Sequence, residues 1–152
     1  MVSRTSIISD ILLFIKRDLQ NSVNDPISST RGARSKFILT AYPNRPTQYP
    51  LITLKITNIE ALRAGMQTTA QDITISMEIR IWARNEKEKE TIYQEVSNRL
   101  KDIQFTDSTG SIANNLHDYN ELSAVEVDEP GESGAQSIKN RIIQVQYRFY
   151  NV

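Results

Sequence analysis

From Asp72 to Ala83 the side chains alternate without a break, with Ile73, Ile75, Met77, Ile79 and Ile81 on one face and Thr74, Ser76, Glu78, Arg80 and Trp82 on the other. A period of two is the signature of a strand with one buried face. Such a strand needs hydrogen-bonding neighbours and a layer over its apolar side, and the remaining sequence supplies both. Lys36–Ala41 reads as a short strand, and Leu51–Thr57 alternates with Ile52, Leu54 and Ile56 aligned. Tyr119–Val127 alternates moderately; Ile138–Tyr150 does so strongly, through Ile143, Val145, Tyr147 and Phe149. The covering layer comes from two amphipathic helices. In Thr5–Gln20, Ile7, Ile8, Ile11, Leu12, Ile15 and Leu19 fall at helical spacing, widened by Phe14, which leaves Asp10, Lys16, Arg17 and Asp18 for solvent. The second helix starts after Asn85, an N-cap with Glu88 three residues on, and buries Ile92, Val96, Leu100 and Ile103, joined by Tyr93. The charged run Glu86–Glu90 reads as its solvated first turn. The predicted fold is α+β, a mostly antiparallel sheet with both helices packed on one face.

The 152 residues make one domain, with no internal repeat. Asp25-Pro26 ends the first helix, and the Ser- and Asn-rich stretch 22–35, with Arg31 and Arg34 flanking Gly32, reads as a flexible, solvated loop. Pro43, Pro46 and Pro50 make the next connector extended. Asn58–Ala70, containing Gly65 and Met66, reads as the tip of a long hairpin, longer than the two to five residues that usually join strands. Glu126–Gly134 reads as an exposed acidic turn.

Composition narrows the chemistry. With no Cys, disulfides, thiolate metal sites and cysteine nucleophiles are excluded, and a single His excludes any site needing two imidazoles. His117, the one possible imidazole base, sits in the polar run Asn114-Asn-Leu-His-Asp-Tyr119 with no Gly-x-Ser-x-Gly elbow elsewhere. Gly-rich phosphate-binding motifs are absent. Asp72, Glu78 and Arg80 loosely imitate a metal-dependent nuclease, but they also fit the outward face of an alternating strand. Asp128, Glu129 and Glu132 lack the ladder of a calcium loop. The expectation is a protein without catalysis, cofactor or metal. Eighteen basic residues balance eighteen acidic ones, so no net charge steers it to nucleic acid or membrane. The longest apolar run, Ile11–Ile15, is far short of a bilayer span, and no secretory signal is expected, which predicts a soluble protein made in a cytoplasm. The second face of the sheet carries Arg80, Trp82, Arg148 and Tyr150, residue types enriched at protein interfaces. Two readings stand side by side: Trp82 covers the edge of the second helix, or this face docks on a copy or a partner.

The order of these pieces resembles a known family. An amphipathic helix precedes the extended Tyr49-Pro-Leu-Ile-Thr-Leu54. A long hairpin leads to Ile73-Thr-Ile-Ser-Met-Glu-Ile-Arg-Ile-Trp-Ala-Arg84, then a charged helix start and Ile92-Tyr-Gln-Glu-Val-Ser-Asn-Arg-Leu100, and the chain closes on the aromatic strand Arg141–Tyr150. Over nearly its whole length the chain resembles the tail terminator, or tail-completion, proteins of tailed viruses. The resemblance implies a structural virion protein, assembled in the host cytoplasm. It would form a ring, typically of six subunits, that ends tube polymerisation at the head-proximal end of the tail. The implied partners are other copies of the chain, the tail tube protein and a head-completion or connector protein, with DNA passing through the bore without specific binding. Candidate interface residues are Gly65, Met66, Arg80, Trp82, Arg148 and Tyr150; Glu126, Asp128, Glu129 and Glu132 are candidate lining for the bore, where like charge would lower sticking to DNA. Another neck or head–tail connector protein, or more remotely a metal-dependent nuclease, are the alternatives.

Overall fold

The computed structural model describes residues 7–32, 36–42, 48–63, 65–66, 71–105, 116–129 and 138–151. Along the chain run α1 (Ile7–Ser22), β1 (Ile38–Leu39), β2 (Leu51–Arg63), β3 (Gln71–Ala83), α2 (Glu86–Phe105), β4 (His117–Glu129) and β5 (Ile138–Asn151). The strands form one sheet in the order β1-β2-β3-β5-β4. Only the β1–β2 pair is parallel; the others are antiparallel. The fold is α+β, with both helices on one face.

That face is the core. Ile73, Ile75, Met77, Ile79 and Ile81 from β3 meet Ile143, Val145, Tyr147 and Phe149 from β5 and Ile52 and Leu54 from β2, beneath Ile11, Ile15 and Leu19 of α1 and Ile92, Val96 and Leu100 of α2. The Tyr147 hydroxyl is satisfied by the Leu100 carbonyl at 3.2 Å, which lets a phenol sit fully buried. α2 begins as its sequence dictates: the Asn85 side chain accepts from the Glu88 N–H at 2.9 Å. The Glu88 carboxylate reaches back past the cap to the Arg84 N–H at 3.1 Å and to the Arg84 guanidinium.

Several expectations need correction. Residues 58–63 are not hairpin tip but strand, paired from Asn58↔Ser76 to Arg63↔Gln71. The hairpin is long because its strands are long, and the connection spans only 64–70. A bulge between Ile56 and Asn58 shifts the phase, so that Ile59 and Ala61 oppose Ile75 and Ile73. The acidic turn is also shorter than expected. Glu126, Asp128 and Glu129 lie in β4, opposite Arg141, Lys139 and Ile138, whereas Glu132 falls outside the described residues. His117 opens β4 instead of lying in a connector. The predicted first strand, Lys36–Ala41, shrinks to Ile38–Leu39.

The described part of the 22–35 loop is anchored. Arg31 grips Asp25 through both carboxylate oxygens at 2.6 and 2.9 Å, donates to the Gln48 and Pro50 carbonyls, and lies over the Phe37 ring. Its side chain is only 6% exposed, so it is a clamp between this loop and the start of β2, where Tyr49–Pro50 is a cis peptide. Residues 33–35 lie outside the described residues. Asp18, expected in solvent, accepts two hydrogen bonds of 2.7 Å from Arg99 and ties α1 to α2.

Candidate functional site

Alternation along β3 and β5 leaves a second sheet face built from polar residues. Thr53 and Lys55 come from β2, Thr74, Ser76, Glu78 and Arg80 from β3, and Gln144, Gln146 and Arg148 from β5. Among the predicted interface residues, Trp82 and Arg80 are brought together here, with the Arg80 guanidinium 5.2 Å from the Trp82 ring centre. Trp82 is not an exposed anchor, however. It is 8% exposed, packed against Tyr42 at 4.9 Å between ring centres, and Tyr42 is held by a hydroxyl–hydroxyl bond to Tyr49. Nor does it cover α2, which lies on the opposite face. Arg148 sits toward the other end of this face, paired to Asp72 and to Asp118. Tyr150 lies opposite Asp72 in the register, and its side chain is outside the described set. Gly65 and Met66 stand apart from both groups, at the hairpin turn, where Met66 is 94% exposed.

The nuclease-like set does not converge. Asp72 and Glu78 are six residues apart on one straight strand, roughly 20 Å at about 3.3 Å per residue, too far for their carboxylates to share an ion. Asp72 is taken by Arg148, and Glu78 faces Arg80 at 3.6 Å.

A charged network that the sequence reading misses joins α2 to β4 and β5. Lys89 is fully buried, its ammonium 2.8 Å from Glu86 and 2.9 Å from Glu126. Arg141 bonds Glu90 and Glu126 and lies 4.5 Å from the Tyr93 ring centre. Nearby, Glu121 accepts from the Tyr93 hydroxyl at 2.6 Å and from Ser97 at 3.1 Å. Burial alone would lower the Lys89 pKa, but hydrogen bonds to Glu86 and Glu126 outweigh it and hold the ammonium above its ordinary value. Hydrogen bonds from Lys89 and Arg141 hold the Glu126 carboxyl below its own. Glu86, Glu90 and Glu126 bring ligand oxygens within 4.8 Å of one another, a spacing open to a cation, but Lys89 and Arg141 already neutralise them. The signal was present in the spacing: Lys89 continues the buried line Ile92, Val96, Leu100 by one more helical step.

The sheet edges carry the exposed apolar groups. β1 covers β2 only at Ile52 and Thr53, so from Leu54 to Arg63 the outer edge of β2 has no partner strand among the described residues. β4 is the opposite edge. Of seven large exposed hydrophobics among the described residues, Ile59 and Leu62 lie on β2, Met66 at the turn and Leu122 and Val125 on β4. β4 contains five acidic residues and no Lys or Arg, whereas β2 carries Lys55 and Arg63 against Glu60. Among the described residues no helix is long and apolar enough to cross a membrane. No protein-family model matches the chain, and neither does any curated protein.

Proposed function

We propose that this chain is a ring-forming structural subunit of the tail terminator kind, which closes the head-proximal end of a viral tail tube and joins it to a head-completion or connector protein. The observation that carries the reading is the placing of five of the seven large hydrophobics exposed among the described residues on the two opposite edges of one sheet and on the hairpin between strands. Unblocked strand edges invite pairing with another chain. Two different edges on one subunit make a head-to-tail contact, which generates a closed ring when the rotation closes. The unlike charge of β4 and β2 favours that pairing, and the zero net charge keeps identical copies from repelling. The element order that resembles the terminator family supplies the tail as the setting. In this reading the chain performs no catalysis and holds no metal or cofactor. The acidic end of β4, which includes Asp128 and Glu129, borders the bore in this reading; Glu132 lies outside the described residues. Glu126, the remaining candidate for that lining, is paired with Lys89 and Arg141.

The test is genetic and structural. Isolated protein should be monomeric or weakly associated, with closed rings in the assembled tail. Removing residues 64–66 should leave a folded domain that no longer caps tubes, giving overlong tails or tails without heads. Normal infectious particles from that deletion would exclude the hairpin's role, and virions lacking the protein altogether would overturn the assignment.

A further inference from the structure

The hairpin turn and the start of α2 lie at opposite ends of β3. At one end two apolar side chains stand exposed, Leu62 near the end of β2 at 71% and Met66 in the turn at 94%; this hairpin end is termed the knob. At the other, a cavity of about 300 Å³ opens between residues 24–26 and the first turns of α2, lined by Asn24, Pro26, Lys87, Thr91, Ile92 and Glu95. Its size is that of a small-ligand pocket, ample for two side chains. Thirteen residues of β3 span roughly 40 Å, so the knob cannot fold back into the cavity of its own chain.

We propose that the hairpin of one copy seats Met66 and Leu62 in the Pro26–Ile92 cavity of the next copy. The charges around the two surfaces match: Arg63 follows Leu62, and Glu95 stands on the cavity wall beside Asn24, whose N–H it accepts at 3.0 Å. Glu60 on the hairpin finds its counterpart in the exposed Lys87. Knob and cavity are different surfaces, so each copy offers one and receives the other, and the contact propagates in one direction until a ring closes. This inference rests on the reading that copies of the chain associate; it names a contact between them separate from the β2 and β4 edges.

The absence of native cysteine makes the test direct. Met66→Cys protein mixed with Thr91→Cys protein, oxidised at high concentration, should give a cross-linked heterodimer. The double variant should give a ladder of multimers. Leu13→Cys, exposed on α1, mixed with Thr91→Cys supplies the random-collision background. Met66→Glu, measured by analytical ultracentrifugation, should weaken self-association by about tenfold or more, as loss of a central apolar anchor does. Cross-linking of Met66→Cys to itself above background would overturn the proposal, since the tips would then meet each other. Closed multimers by mass measurement without the Met66–Thr91 cross-link would overturn this contact and leave the ring reading standing. No multimer at any concentration or in assembled tails would remove both.

Discussion

Among the described residues Lys89 is one of the largest fully buried side chains, and it carries a charge inside the helix–sheet seam. Its stem packs as a hydrophobe while its ammonium bridges Glu86 and Glu126. Each of those carboxylates keeps a second cation, Lys139 at 3.8 Å for Glu86 and Arg141 for Glu126. Lys89→Met should therefore hold stability within about 1 kcal/mol of the parent, because a well-packed apolar replacement of a buried ion is commonly tolerated. Lys89→Ala should cost about 2 kcal/mol or more, because it empties the space the stem fills. Urea unfolding of the two variants separates packing from charge; equal losses would make the ion pairs the larger contribution. Asp25 gives a pH counterpart. Burial pushes its carboxyl up, but the Arg31 hydrogen bonds, the Ile27 N–H and the Arg31 charge outweigh that and hold it below its ordinary value of 3.8. A lowered folded-state pKa contributes stability that is complete above the unfolded value and is lost as pH falls through the folded one. Stability should thus fall as pH drops below about 4, and Asp25→Asn should flatten that acid limb while lowering stability at neutral pH. A limb of unchanged steepness in thermal melts would refute the clamp's contribution.

At the scale of elements, β3 is the strand on which the sheet is built, flanked on both sides by long antiparallel partners. Ile79 lies fully buried at its centre, and Ile79→Ala should cost about 2–5 kcal/mol in chemical denaturation; a loss below 1 kcal/mol would mean the face is not packed as described. The alternation of Asp72–Ala83 and the capped start of α2 are legible in the sequence because nothing interrupts their periods. The far half of β2 is not, for a specific reason. The bulge near Thr57 moves the inward position from Ile56 to Ile59, so a period of two breaks and the strand reads as ending. β4 is blurred twice over. Asp118, at φ 53°, and the Glu121–Ser123 step each shift the register against β5. In the candidate site, Arg80 and Trp82 are placed on one face by alternation alone. The cover over Trp82 comes from Tyr42, forty residues away in the chain, and local pattern carries no information about that contact.

Across the whole molecule, the two helices cover one side of the sheet while the hairpin arm and β4 leave apolar groups at its margins. Folding of the single chain does not use these margins, so substitutions there should separate assembly from stability: Met66→Glu should leave the melting temperature within about 2 °C, since an exposed change stays within about 0.5 kcal/mol. Trp82 brings a practical consequence of a different kind. It is the chain's only tryptophan, enclosed by Tyr42 and Arg80 at the end of the central strand. The protein therefore has a single indole chromophore, native to the sequence, in an enclosure that exists only while β2, β3 and the Tyr42–Tyr49 bond are in place. Its emission is a built-in optical gauge of that corner, and a label-free titration can follow whether anything that lands on the polar face disturbs it.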